Sequence, residues 1–572
     1  MISQDDAANF DAVWLLDVEI DGRVYRYTTA PDALRVTRSD GLEYVYHSGL
    51  SAIRASSADP STSAQIVDGT DWAALFAAGG SMEGGRATLR RWWSGLMHDE
   101  ARIWAAGRAV GAEWGELGEP FIFTIESDDA SQTDPILPAG TLALKPLHFG
   151  PDRVGGPTFD VWPEVEGLPL PLVIGYPGDM GDGTSREAVP VILTDWCTFV
   201  GAGDQETCRV SVSIGRVDAT TIYLKERDQF PSGPSYTATI AYATQVSTDG
   251  HEETVFDVSY VDFSGTDSNG EAATGLLPTY ESSESKAEFL AGFNPTTGGG
   301  IANPYSTGTL SGAGDVVIWA MRRSGGDLPV DYEALDRVRE HLNAYRIDTF
   351  INDETIRALE WLRSQVLPIL PVVEITTSQG WALSIVDWTA SESDAHGTLT
   401  ADVDLHRSGS ARVINTKGIA NYVTISYRPT DAAHWGGWYQ QLTLTPDLYI
   451  KQDRSALVGQ MNPFYPSRIA KISEARHGLR KLEIELPMVW DDNTALRVAQ
   501  DAIEANGLST ISVTYQAATD TLERVRVGDV WLLTDAGMGW AERIAIVTEI
   551  SVGGNEPPTL VFALPDPLIK RA

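Results

Sequence analysis

Over the first 130 residues, short runs of alternating apolar and polar positions recur, the period of strands with one buried face. Val13 to Ile20 and Arg23 to Tyr27 flank Asp21-Gly22, and Leu34 to Thr37 and Glu43 to His47 flank Asp40-Gly41. Asp-Gly suits a type I′ hairpin turn, whose two central residues need positive φ, so both pairs predict β-hairpins. A short helix is expected next, with Thr70 or Asp71 as N-cap, Trp72, Leu75 and Phe76 on one side and Gly79 as its stop. Strands resume at Arg86 to Trp93, Arg102 to Val110 and Pro120 to Glu126.

From 131 to 240 the chain is rich in Pro and Gly, with short β runs at Pro171 to Gly175, Val189 to Leu193 and Arg209 to Ser213. From 264 to 314 it turns polar around Gly298-Gly299-Gly300, which reads as a long connection or surface loop outside any core. The period then changes to that of helices. Pro329-Val330-Asp331 leads into Tyr332, Leu335, Val338 and Leu342, and a second stripe of Ile356, Leu359, Leu362 and Val366 ends at Pro368. Both read as amphipathic helices packed on a sheet. Strands dominate from 371 to 490. A last helix, capped at Asn493 or Thr494 and stopped at Gly507, carries Leu496, Ala499 and Ile503, and Ile511 to Leu564 reads as a small β-barrel.

At 572 residues the chain is too long for one core, and about three to five domains is the expectation. Charge sharpens the picture: 42 Lys plus Arg against 79 Asp plus Glu leaves a formal charge of -37. Such a surface repels phosphate and anionic lipid, which counts against direct nucleic-acid binding and membrane docking. Solubility or adaptation to salt explains it, and so does a conduit whose negative wall keeps passing DNA from sticking. The acidic start at Met1 to Asp6 lacks the basic region of a secretory signal, and Pro368 and Pro371 break the apolar run Val366 to Val373, so no spanning segment is expected. Cys197 and Cys208 could bridge a hairpin, but two thiols in a cytoplasmic chain are expected to be reduced, and no CxxC or Cys/His cluster suggests zinc.

Candidate chemistry is thin. His251-Glu252-Glu253 begins like a zinc-protease helix but lacks the second His and lies in strand-like sequence. Asp402, Asp404 and His406 alternate, so on a strand they would share one face and could hold a divalent ion, although any solvent face reads the same way. Asp267 to Glu271 resembles the start of a calcium loop without its remaining ligands. His98-Asp99-Glu100 beside Trp92 and Trp93 could suit sugar binding, but packing is the expected role of those indoles. GxSxG, Walker and complete HExxH motifs are absent from the sequence, and the expectation is no catalytic, cofactor or metal residues and no enzymatic activity.

Several stretches taken together are similar to baseplate hub and tail-tip hub proteins of long-tailed, siphovirus-like bacteriophages. They are Gly312 to Trp319 with Leu328 to Asp331, Ile347-Asp348 and Ile351-Asn352 through Leu367 to Pro371, and Arg526 to Leu532 with Ile544 to Ile550. The helix through Ala495 and Ala499 precedes the last of these, and Arg90 to Gly95, Trp114 to Glu116 and Gly118 to Pro120 fit the N-terminal domain of the same group. The resemblance implies a homotrimer in which two β-barrels per subunit form a pseudo-sixfold ring. That ring would match a hexameric tail tube or distal tail protein, with the central tail fibre and receptor-binding proteins below and the tape-measure protein ending nearby. Its lumen would conduct DNA at genome ejection.

The fold class expected is mainly β with α+β parts, multidomain, with β-barrels near both termini and a short helical segment between. The divisions are 1–130, an N-terminal barrel-like hub domain; 131–310, a Pro/Gly-rich β region with a long polar loop; 311–375, helical; 376–490, β; and 491–572, a helix plus a C-terminal small barrel. The expected role is a virion structural hub at the tail tip or baseplate, made in the host cytoplasm, without cofactor. A distal tail or carbohydrate-binding tail component is the first competing reading, and a tail-associated cell-wall hydrolase the second.

Overall fold

The structure is a computed structural model. It describes residues 12–20, 22–56, 59–66, 85–114, 121–127, 171–178, 189–200, 205–226, 236–249, 252–263, 289–296, 298–323, 329–353, 355–377, 379–407, 413–415, 418–429, 438–447, 449–453, 460–462, 468–553 and 556–566. The chain is mainly β with smaller α+β parts and several separate sheets, as its patterning predicts. The helix expected near Thr70 and the loop Asp267 to Glu271 lie outside the described residues.

The N-terminal strands follow their alternation. In Ala12–Ile20, Leu16, Val18 and Ile20 are buried in one cluster with Leu89 of the adjacent strand and with Ala64 and Ile66 from farther round the sheet. Ile20 pairs with Arg23 across Gly22, whose φ of 75° is the left-handed value a tight hairpin demands. The second hairpin is wider than its Asp-Gly predicts. Thr37 pairs with Glu43, so five residues link the strands, and the Arg38 N–H donates to the Leu42 carbonyl at 2.8 Å. Strand Glu43–Ser48 pairs in parallel with Arg23–Thr28 and runs on through Gly49 into Leu50–Ser56, which pairs with Asp59–Ile66. From there the ladder passes through Phe121–Ser127, Arg102–Trp114, Arg86–Trp93 and Ala12–Ile20 back to Arg23–Thr28, so it returns to the same bent strand.

At the other end of the chain, Val530–Asp535, Trp540–Gly553, Glu556–Leu564 and Thr510–Ala517 form a nearly closed sheet. Three short strands, Thr398–Thr400, Leu405–His406 and Val413–Asn415, complete it. The two terminal regions are not separate. Ser56, Ala55 and Arg54 pair with Ser551, Val552 and Gly553, which merges them into one 16-stranded sheet.

Between them in sequence lies a third unit, a closed barrel of Val189–Val200, Gln205–Ile214, Glu252–Phe263, Tyr236–Asp249, Thr221–Glu226 and Phe289–Gly292, paired in that order. Its last strand falls inside the stretch read as a loop outside any core. That reading is corrected further by Ile301 and Leu310, which are buried in the central core. The glycines there serve close approach rather than mobility. Gly300 donates to the Gly175 carbonyl at 2.7 Å, and a Cβ on Gly300 would meet the Val173 carbonyl oxygen at 2.2 Å.

The central core is α/β. Helix Tyr332–Leu342 starts where expected, with the Asp331 carboxylate accepting from the Ala334 N–H. The second helical stretch begins at Ala358–Trp361, widens to a π turn over Leu362–Val366 and closes as a 3₁₀ turn at Leu367–Ile369. It passes Pro368 because the first residues of a turn need no N–H donor. Helix Asp492–Asn506 is capped by Asp491 rather than Asn493 or Thr494, its carboxylate accepting from the Thr494 N–H at 2.8 Å. This helix lies on the five-stranded sheet that includes Tyr422–Pro429 and Lys481–Leu486. Helix Ala313–Arg323 lies in the stretch 311–375 divided off as helical, though no periodic stripe marks it, while Arg468–His477 and the short Thr519–Arg524 lie where no helix was expected.

Candidate functional site

His98, Asp99 and Glu100 form a 3₁₀ turn and act in three directions. His98 is buried, its Nε2 2.8 Å from the Tyr46 hydroxyl, and Tyr46 donates to Asp17 at 2.9 Å. Arg26 reaches Asp17 at 3.1 Å, and Arg90 also pairs with it. Burial alone would raise Asp17, but hydrogen bonding with His98 and the Arg90 charge outweigh it and hold the carboxyl below its usual range. Asp99 accepts from the Ser39 N–H at 2.9 Å and is held low by hydrogen bonding with the Ser39 side chain and then by that N–H, while Glu100 accepts from the Met97 N–H. Trp92 and Trp93 are buried, and Trp92 donates to the Leu96 carbonyl. These residues pin a loop to the N-terminal barrel, and the indoles offer no sugar platform.

Asp402, Asp404 and His406 do not share a strand face, contrary to their alternation. Residues 402–404 form a tight turn with Asp402 at φ 68°, its N–H donating to the Leu405 carbonyl at 2.7 Å. Asp404 accepts from the Thr400 N–H and from Arg524, both at 2.8 Å, so its carboxylate is engaged. His406 alone stands on the short strand Leu405–His406. Asp402 has the short polar side chain that tolerates left-handed backbone, and that breaks the alternation. Residues 252–263 form a strand, which places Glu252 and Glu253 outside any helix; His251 lies outside the described residues. Strands Val189–Val200 and Gln205–Ile214 are antiparallel neighbours in which Asp195 faces Arg209 and Thr198 faces Thr207, and the register shift between these rungs contains Cys197 on one strand and Cys208 on the other. Among the described residues, no three His, Cys, Asp or Glu side chains gather as a metal site would require.

Tertiary contacts also assemble buried ionic clusters, those at Asp535, Asp348 and Arg428 among them. Asp535 has a fully buried side chain. It accepts from the Tyr515 hydroxyl at 2.7 Å, from the Gly537 N–H at 2.8 Å and from Arg407 Nε at 3.2 Å. Burial opposes its ionisation, yet the bonds from Tyr515 and Arg407 leave the carboxyl below its usual range. Asp348 is fully buried, accepts from Arg346 Nε at 2.7 Å and the Tyr176 N–H at 2.8 Å, and is raised by burial. Its Oδ2 has no donor among the described residues. Arg428, 1 % exposed, pairs with Asp492 at 2.7 Å and donates to the Trp490 carbonyl. Each joins segments far apart in the chain, the Asp348 cluster through Tyr176 since Arg346 is only two positions away, and such distant contacts leave no local motif.

The geometry most specific to this molecule is therefore the seam at Arg54–Ser56 and Ser551–Gly553, where the terminal β regions of one chain share a sheet. Among the described residues, no helix is long and apolar enough to cross a membrane. No protein-family model matches the chain, and no curated protein sequence matches it either. Solved structures do. A 43 kDa tail protein of prophage MuSo2 from Shewanella oneidensis aligns over 98% of this chain and 99% of its own at 8% identity, with a TM-score of 0.32. A tail protein from Neisseria meningitidis aligns over 67% of this chain and 97% of its own at 10% identity and a TM-score of 0.24. Prophage tail protein gp18 from Listeria monocytogenes aligns over 69% of this chain and 94% of its own at 9% identity and a TM-score of 0.25. Each of these three structures is that of a tail protein.

Proposed function

We propose that the chain is a structural hub of a phage tail tip or baseplate, without chemistry of its own. In this reading three copies form a ring that joins the tail tube or distal tail protein to the central fibre and receptor-binding parts, encloses part of the DNA ejection channel and lies near the tape-measure protein. The observation that carries it is the seam between the two terminal β regions. Two barrels held side by side by backbone hydrogen bonds act as one rigid unit, and three such units present six barrels to a sixfold partner. Ring closure also covers strand edges that would otherwise aggregate. Of the stretches that resemble hub proteins, Arg90 to Trp93 fall in the N-terminal sheet and Val530 to Leu532 in the C-terminal sheet of this frame, while Gly312 to Trp319 start a helix buried in the separate central core.

Native mass spectrometry and light scattering on the purified chain test this. A trimer is the expected result. A hexameric ring would instead favour a distal tail protein, and release of sugar or peptide from cell wall would favour a hydrolase.

A further inference from the structure

The segment 386–397 crosses the outside of the C-terminal sheet, where Ala390 packs with Val530 and Ile546. Between this segment and the start of strand Trp540–Gly553 lies an open cleft of about 340 Å³. Ala390, Ile544 and Pro565 line its apolar part, flanked by half-buried Trp388 and buried Trp540. Charged groups of both signs join the lining: Glu392 and Glu542 are exposed, and the Arg543 guanidinium lies 5.6 Å from the Trp540 ring centroid. Asp566, also in the lining, is bound to Arg476 at 2.7 Å.

We propose that this cleft binds a neutral saccharide of one or two rings. A pyranose has an apolar C–H face that packs on an indole and an edge of hydroxyls, each a donor and an acceptor. Trp388 supplies the flat apolar wall, while Glu392 and Glu542 accept hydrogen bonds from the hydroxyls and Arg543 donates. The volume stands at the lower end of the range for small-molecule sites, about 300–1,000 Å³, which fits a short saccharide and not an extended chain. Other ligand classes fit less well. The net charge of -37 disfavours a polyanion, and the acidic groups of the cleft do not gather in the threes a metal ion needs. The proposal does not depend on the hub reading and holds for any oligomeric state.

The test is titration of the full chain with maltose, lactose and N,N′-diacetylchitobiose, read by tryptophan fluorescence and saturation-transfer NMR. At least one should bind saturably in the millimolar range. Trp388→Ala should weaken it about ten-fold or more, Trp388→Phe less, and Glu542→Gln measurably, the last with unchanged melting temperature. Glu542 is exposed, so its variant reports on binding even if the Trp388 variants fold poorly. No saturable response to any of the three sugars at tens of millimolar overturns the proposal. So does binding that is indifferent to both positions. Capture of a Lys/Arg-rich peptide in place of sugar, lost in Glu392→Gln and Glu542→Gln, would make the cleft a protein-docking site and also overturn it.

Discussion

Asp535 organises the C-terminal sheet through bonds that converge on one buried carboxylate, from Tyr515, Arg407 and the turn N–H groups of Gly537 and Met538. Asp535→Ala would leave the Tyr515 hydroxyl and the Gly537 N–H without this acceptor, while the Met538 N–H keeps the Asp535 backbone carbonyl. The expected loss is about 3 kcal/mol in urea unfolding, with Asp535→Asn losing less because its amide oxygen still accepts. The acids divide by sign. Asp17 and Asp535 are held below the ordinary range, so their stabilisation is present above about pH 4 and is lost as pH falls through the lowered values. Asp348, Asp501 and Asp529 are raised, chiefly by burial, so their contribution is complete below about pH 4 and is lost as pH rises through the raised values. Asp348→Asn removes one of the second kind. Its stability relative to the parent should therefore climb as melts are run from about pH 4 to pH 7; a flat difference would show that Asp348 titrates normally. The Asp535 pairing could not be read from spacing. Asp535 and Arg407 are 128 positions apart.

Among elements, legibility followed the contrast between two faces. Tyr332–Leu342 has a buried stripe and a charged side, and its limits were predictable. Ala313–Arg323 is buried from Ala313 through Met321, so no polar face marks its period and its Val-Val-Ile-Trp run reads as readily as a strand. Arg468–His477 fails in the opposite way, since Ala470 and Ser473 are its only fully buried residues and the stripe is too thin to see. The stretch around Gly298 to Gly300 was misread because glycine has two uses, a flexible link or a place where backbones touch. Here they touch. Gly300→Ala would force a Cβ against the Val173 carbonyl, and a loss of about 2–3 kcal/mol in urea melts is expected. If the variant is as stable as the parent, the segment is a loop after all.

On the scale of the whole molecule, charge and assembly meet. With a formal charge of -37, copies repel one another at low ionic strength. If the chain trimerises as proposed, sedimentation should show association strengthening from about 20 to 150 mM salt as the Debye length shortens to about 8 Å. Weakening over that range would mean that complementary ion pairs hold the copies together. The sequence by itself determined the β-rich class, the first hairpin, the two amphipathic helical stretches near 332 and 358 and the excess of acid, because each is written in neighbouring residues through period, turn chemistry or simple count. Only the tertiary structure decided that the first and last β regions share a sheet, that six strands between Val189 and Gly292 close into a barrel, and that Trp388 and Glu542 face one cleft. These depend on contacts between residues far apart in the chain, where strand edges and side chains of ordinary local sequence acquire their roles from what they meet.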